Sequence, residues 1–212
     1  MKQISRLQYI TTSAALAEQA CQGGVRWVQL RLKDISYEDY KQAALEVQAV
    51  CKKYDATFIV NDSIRLALEI GADGVHVGKE DPLPRADIDA MLARGGIIGA
   101  TANEVADFEH LAGKKVSYIG LGPFRFTQTK KKLSPILGLE GYQQIFDTLK
   151  MQHITYPPVV GIGGVTEDDI IQLLGTGLHG VAVSGAISNA ADVAGAARRL
   201  KEKVYGNYPS TI

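Results

Sequence analysis

The sequence predicts an α/β protein built as a single (β/α)8 TIM barrel over residues 1–212. Three observations carry that expectation. Short apolar runs rich in β-branched residues recur eight times, and an amphipathic stretch follows each of them. Strict alternation of this kind suits either an open doubly wound sheet or a closed barrel, and the count of eight favours the barrel. No Gly-x-Gly-x-x-Gly follows the first run, which ends Tyr9-Ile10-Thr11-Thr12, so the dinucleotide fingerprint of an open sheet is missing.

In chain order the expected strands are Leu7 to Thr12, Val25 to Leu32, Thr57 to Asn61, Gly74 to Val77, Ile97 to Ala100, Val116 to Gly122, Val159 to Ile162 and Gly180 to Ser184. The clearest helix is Tyr37 to Tyr54, where Tyr40, Ala43, Ala44, Val47, Val50 and Cys51 recur at spacings of three and four. Gly23-Gly24, Gly71, Gly95-Gly96, Gly113 and Gly177 each fall where a helix should end before the next strand, a place that favours a left-handed residue. No linker or low-complexity segment marks a second domain.

Lys plus Arg and Asp plus Glu both total 23, so no global field favours nucleic acid or an anionic membrane. Anions must be caught locally. Cys21 and Cys51 fall in helical segments without Cys-x-x-Cys or Cys/His ligand spacing, which reads as free buried thiols in a reducing cytoplasm. Met1 to Leu7 has no apolar leader, and no long uncharged apolar run occurs, so neither export nor a membrane span is expected.

In such a barrel the function sits where strands end at one face. The second strand ends Gln29-Leu30-Arg31-Leu32-Lys33, and a period of two sends Gln29, Arg31 and Lys33 to one side. Inward cations of this kind are costly without an anion to pair with. The third strand ends Asn61-Asp62, and the fourth runs Gly74-Val75-His76-Val77-Gly78-Lys79-Glu80-Asp81. Asp62 and Asp81 suit a Mg2+ ion, which takes one or two carboxylates and completes its shell with water and phosphate oxygens. They equally suit helix N-caps before Ile64 to Ile70 and after Pro84. His76 reads as a hydrogen-bonded structural residue rather than a base.

After the sixth strand, Gly120 to Lys132 is too long and polar for a simple connection. There Thr127 and Thr129 offer hydroxyls and Lys130 a charge for phosphate oxygens, while Lys131 and Lys132 receive no role. The seventh strand ends Gly161-Ile162-Gly163-Gly164-Val165 and the eighth Val183-Ser184-Gly185-Ala186-Ile187. Barrels often seat a phosphomonoester in the loops after these two strands, where glycine lets backbone amides come close. Two facing anion sites imply a reaction that joins two phosphorylated molecules.

Taken together, Gln29-x-Arg31-x-Lys33, Asn61-Asp62, Gly74-Val75-His76-Val77-Gly78 with Asp81, Gly122-Pro123 with Thr127-x-Thr129-Lys130, Gly163-Gly164-Val165 and Ser184-Gly185 resemble the thiamine-phosphate synthase family over nearly the whole chain. That resemblance implies two substrates, hydroxymethylpyrimidine diphosphate and a plain or carboxylated hydroxyethylthiazole phosphate, joined with release of pyrophosphate. It implies that Gln29, Arg31, Lys33, Asn61, Thr127, Thr129 and Lys130 hold the pyrophosphate end and that Asp62 and Asp81 hold its Mg2+. By the same resemblance Gly164, Ser184 and Gly185 hold the thiazole phosphate, and Thr101 stands near the reacting centre where the family often has Ser.

The implied displacement is dissociative, so Arg31, Lys33, Lys130 and the metal stabilise the leaving group and no protein nucleophile is needed. Departures from the family are Lys79 where Gln is common, Asn103 where His is common, and Phe124-Arg125-Phe126 in place of a more apolar, Pro-ending stretch. Arg125 is open between an added pyrophosphate ligand and a solvated tip of a lid spanning Phe124 to Pro135. A thiazole tautomerase on the same barrel is the nearest alternative, but it would not need the metal carboxylates or the diphosphate loop. A silent phosphate sensor should have lost one of the two sites. No surface patch singles out an interface, so a homo-oligomer stays open.

Overall fold

The computed structural model describes residues 4–126 and 135–206. Eight parallel strands, β1 (Leu7–Thr11), β2 (Trp27–Leu30), β3 (Thr57–Asn61), β4 (Gly74–Val77), β5 (Ile97–Ala102), β6 (Tyr118–Leu121), β7 (Val159–Ile162) and β8 (Gly180–Val183), close in chain order into the predicted barrel. The ring is sealed where β8 pairs with β1, Leu7 opposite Val181 and Tyr9 opposite Val183. Around it lie α1 (Ala14–Gln22), α2 (Tyr37–Lys53), α3 (Ile64–Glu69), α4 (Arg85–Ala93), α5 (Val105–Leu111), α6 (Gly138–Met151), α7 (Ile170–Gly175), α8 (Gly185–Ser188) and α9 (Val193–Tyr205), with a 3-10 turn at Glu167–Asp169.

The strands are buried on both faces, so they read as continuous apolar runs, and the period of two divides each between two cores. Leu7, Tyr9, Val28, Leu30, Val75 and Val77 pack beneath the helices. Their alternates Ile10, Trp27, Ile59, Ile97, Tyr118, Val160 and Ala182 fill the barrel itself.

A strand lasts only as long as its neighbour offers partners. Leu30 is the last β2 residue opposite β1, at Thr11, and Arg31 N–H closes the ladder on Thr11 O at 3.0 Å. The expected strand to Leu32 is therefore too long: Gln29 faces the interior, whereas Arg31 and Lys33 lie beyond the strand end, half-buried and exposed. β6 is likewise shorter than expected, β5 runs on to Ala102, and Ser184 follows β8 rather than ending it.

Helix starts are set by Ser13, Ser36, Ser63 and Asp192, whose side chains accept from the backbone N–H three residues on. At the exits Gly24 and Gly177 take φ of 97° and 103°, as the punctuation predicts. Gly23 does something else. A Cβ there would lie 2.2 Å from Ala194 O, so the glycine lets α1 press against α9. Cys21 and Cys51 are buried in α1 and α2, and burial pushes the Cys21 thiol up to about 11. No helix among the described residues is long and apolar enough to cross a membrane.

Candidate active site

A hydrogen-bonded polar chain runs through the otherwise apolar barrel interior. Gln29 Nε2 donates to Gln8 Oε1 at 3.1 Å, and Gln8 Nε2 donates to Tyr118 Oη at 3.1 Å. Tyr118 Oη lies 3.0 Å from His76 Nδ1, and His76 Nε2 lies 3.1 Å from Thr101 Oγ1. Gln8, Gln29, Tyr118 and His76 are all buried, while Thr101 is half-exposed at the mouth. Two strand glycines make the room: a Cβ on Gly99 would sit 2.2 Å from Tyr118 Cζ, and one on Gly120 3.1 Å from His76 Cε1.

Where β2 and β3 end, Tyr40 reaches in from α2. Its hydroxyl lies 3.0 Å from Leu30 O and 2.8 Å from Asn61 O, and it accepts from Asn61 N–H at 3.1 Å. The next residue, Asp62, takes a left-handed φ of 65° while its N–H donates to His76 O at 2.7 Å, which ties the β3 turn to β4. Asp62 forms an ion pair with Lys33.

Asp81 accepts from Gly78 N–H at 2.7 Å. Burial pushes its carboxyl above the ordinary aspartate value; the Gly78 hydrogen bond opposes this, and a hydrogen bond and like charge from Asp62 add to the rise. The two carboxylates therefore adjoin. Neither is an N-cap: Ser63 caps α3, and the N-cap position of α4 is Pro84. Oxygen-only ligands in an adjoining pair, with no capping duty to perform, fit a hard divalent cation such as Mg2+. Among the described residues no group of three or more His, Cys, Asp or Glu side chains forms a metal cluster.

Opposite, β6 and β7 continue their ladder past the strand ends, Phe124 N–H donating to Ile162 O and Arg125 N–H to Gly163 O, both at 2.9 Å. Gly163 and Gly164 take φ of 93° and 70°, and a Cβ on Gly164 would lie 2.8 Å from Arg125 Cβ. Arg125 is exposed and paired. Its guanidinium grips Asp169 through both nitrogens, 2.5 Å from Nη1 to Oδ2, and reaches Gly164 O at 3.3 Å. Phe124, expected in a lid, is buried. Ser184 and Gly185 begin α8 at the end of β8.

The other two departures also have partners within the chain. Lys79 pairs with Asp107 at 2.6 Å and Glu104 at 3.5 Å, and Asn103 donates to Gly122 O, joining the β5 and β6 loops. Gln29, expected at the pyrophosphate, has its amide nitrogen committed inside the barrel. Lys33 pairs with Asp62, which adjoins Asp81, while Asn61 binds Tyr40 through its backbone and Arg31 lies near the same tyrosine. Thr127, Thr129 and Lys130 lie outside the described residues. Sequence reasoning passed over Gln8, Tyr40, Tyr118 and Asp169; an inward Gln in a strand was the one available signal.

Comparison with known proteins gives a consistent family. The family model described as thiamine monophosphate synthase matches residues 4–187. A thiamine-phosphate synthase of Phocaeicola vulgatus is 45% identical over 184 residues, covering 87% of this chain and 88% of that protein. One from Flavobacterium johnsoniae is 42% identical over 209 residues, covering 96% and 98%. Among solved structures, thiamine phosphate pyrophosphorylase from Pyrococcus furiosus superposes with a TM-score of 0.78 at 30% identity, covering 94% of this chain and 95% of that one.

Proposed function

This chain belongs to the thiamine monophosphate synthase family, and we propose that it joins hydroxymethylpyrimidine diphosphate to hydroxyethylthiazole phosphate, plain or carboxylated, giving thiamine phosphate and pyrophosphate, with the carboxyl group lost as carbon dioxide when the thiazole carries one. One observation carries the reading. The adjoining carboxylates of Asp62 and Asp81, with Lys33 against them, lie at the ends of β3 and β4, while the Gly163-Gly164 turn lies across the ring after β7. One site is charged and suited to a metal diphosphate; the other offers backbone amides for a phosphomonoester.

The bond from the pyrimidine methylene carbon to a pyrophosphate oxygen breaks, and the thiazole nitrogen forms the new bond to that carbon. The nitrogen gives up no proton, so no base is required and positioning with charge stabilisation supplies the rate. Arg31, Lys33 and Lys130 neutralise the departing pyrophosphate, while Asn61, Thr127 and Thr129 hydrogen-bond it. Gln29, Gln8, Tyr118 and His76 set the floor beneath Thr101, which meets the pyrimidine. Gly164, Ser184 and Gly185 hold the thiazole phosphate. Asp62 and Asp81 would hold Mg2+, which when bound offsets the negative charge of the leaving group.

A thiazole tautomerase is disfavoured by the same carboxylate pair, which proton transfer would not need. Incubating the purified protein with both phosphorylated substrates and Mg2+ should release pyrophosphate and form thiamine phosphate, read by a pyrophosphatase-coupled phosphate assay and by chromatography. No product with either thiazole form would overturn the assignment.

A further inference from the structure

The hydrogen-bonded chain inside the barrel has a direction that its donors and acceptors decide. We propose that it locks His76 as the Nε2–H tautomer, so that His76 donates to Thr101 and the Thr101 hydroxyl is presented to the mouth as a donor. His76, Tyr118 and Gln8 are then positioning residues acting through Thr101.

The direction starts at the amides. Gln29 Nε2 donates to Gln8 Oε1, which turns the Gln8 nitrogen toward Tyr118 Oη, 3.1 Å away. With the Gln8 amide donating to its oxygen, Tyr118 has its own proton left to place. His76 Nδ1, 3.0 Å away, is the acceptor that faces it. A proton on Nδ1 would put a second donor against Tyr118 and leave the phenol proton without an acceptor, and a buried donor so stranded is costly. Tyr118 is fully buried, so water does not relieve it.

With Nδ1 accepting, the neutral ring carries its proton on Nε2, and the partner there is Thr101 Oγ1 at 3.1 Å. Thr101 thus accepts from the inside and donates from the outside. The arrangement depends on Gly99 and Gly120, whose missing Cβ atoms leave space for the Tyr118 ring and the His76 imidazole.

The consequence deepens the proposed function and rests on it for the identity of the ligand. The donor that Thr101 turns to the mouth is matched by an acceptor on the substrate, which an unprotonated ring nitrogen of the aminopyrimidine supplies and its exocyclic amino group does not. The polar chain therefore contributes to orienting the pyrimidine.

Two measurements test this on the full-length protein. In long-range 1H–15N spectra of the ligand-free protein, His76 should show a pyridine-type Nδ1 and a pyrrole-type Nε2. A pyrrole-type Nδ1, in the other tautomer or in an imidazolium, overturns the proposal whether or not the protein makes thiamine phosphate. Tyr118→Phe should turn the single tautomer into a mixture, and an unchanged spectrum would also overturn it. In steady-state kinetics Thr101→Ser should keep the KM for the pyrimidine diphosphate within about threefold. Thr101→Val should raise it about tenfold or more, the loss expected when a hydrogen-bonding group is removed from a site built around it. An unchanged KM in Thr101→Val sinks the outward-facing donor. Absence of product from the unaltered protein would overturn the functional reading and not the tautomer, which the spectra read without substrate.

Discussion

Asp62 is held in a conformation that costs an L-residue on the order of 1–2 kcal/mol outside a left-handed cap. The surrounding bonds sustain it, since its N–H is spent on His76 O. The turn thereby aims one carboxylate at another, and Asp81 responds with a raised affinity for protons, through burial first and Asp62 after it. Asp81→Asn removes the buried charge and keeps an oxygen for Gly78 N–H. We expect this variant to melt at a higher temperature than the parent without Mg2+, to gain less on adding Mg2+, and to lose at least about tenfold in Mg2+-dependent turnover. Calorimetry with and without the metal, alongside the synthase assay, checks all three; equal metal response in both proteins would place the cation elsewhere. The sequence marked both residues yet left capping and metal binding undecided, because only the position of Ser63 and Pro84 at the helix starts distinguishes them.

Tyrosines on two helices bind the ends of strands. Tyr40 from α2 binds the ends of β2 and β3, and Tyr142 from α6 donates to Leu121 O at the end of β6 at 2.6 Å. Tyr40→Phe should cost about 1–2 kcal/mol in urea unfolding and lower turnover through misplacement of Arg31 and Asp62. A variant with full stability and full activity would show that the β2 and β3 ends hold without it. From sequence Tyr40 counted only as one apolar position in a helical period, since periodicity sees the ring and not the direction of the hydroxyl.

The Arg125–Asp169 link joins the loops after β6 and β7. Burial pulls the Asp169 carboxyl upward, but the Arg125 guanidinium and the Thr166 N–H and hydroxyl outweigh it and hold it below the usual range. The folded protein therefore binds this proton less readily than the unfolded chain. Its stabilisation is present above the ordinary carboxylate range and lost as pH falls through the depressed value. The stability gap between parent and Asp169→Asn should accordingly be full near neutrality and shrink below about pH 4. Urea titrations over a pH series read it, and a gap constant down to strong acid would exclude the ion pair as its source. The pair escaped the sequence reading because its members are 44 residues apart.

At the scale of the whole molecule, the alternation of runs predicted the closed barrel and the order of its strands. The bounds of β3, β4 and β7 were legible too, whereas β1, β2, β5, β6 and β8 differ at their ends, because those ends depend on the neighbour across the ladder, as Thr11 limits β2. The interior polar chain was not legible, since Gln8 and Tyr118 sit in apolar runs and become visible only when β1, β4, β5 and β6 face one another. The glycines that admit it are sensitive points: Gly99→Ala should destabilise the barrel by about 1–3 kcal/mol, an overpacking cost, and disturb the His76 spectrum as well. Denaturant unfolding measures the first effect, and wild-type stability would mean that the Tyr118 ring can yield.

The seal between β1 and β8 also bears on how the chain reaches its native state. Leu7 and Val181 must meet across most of the sequence, and long loops make such contacts slow. During synthesis the outer edge of β1 stays open until Val183 has left the ribosome, an exposed strand edge of the kind that recruits other chains. Nascent chains stalled before β8 should aggregate or bind chaperones, and chains released after it should not.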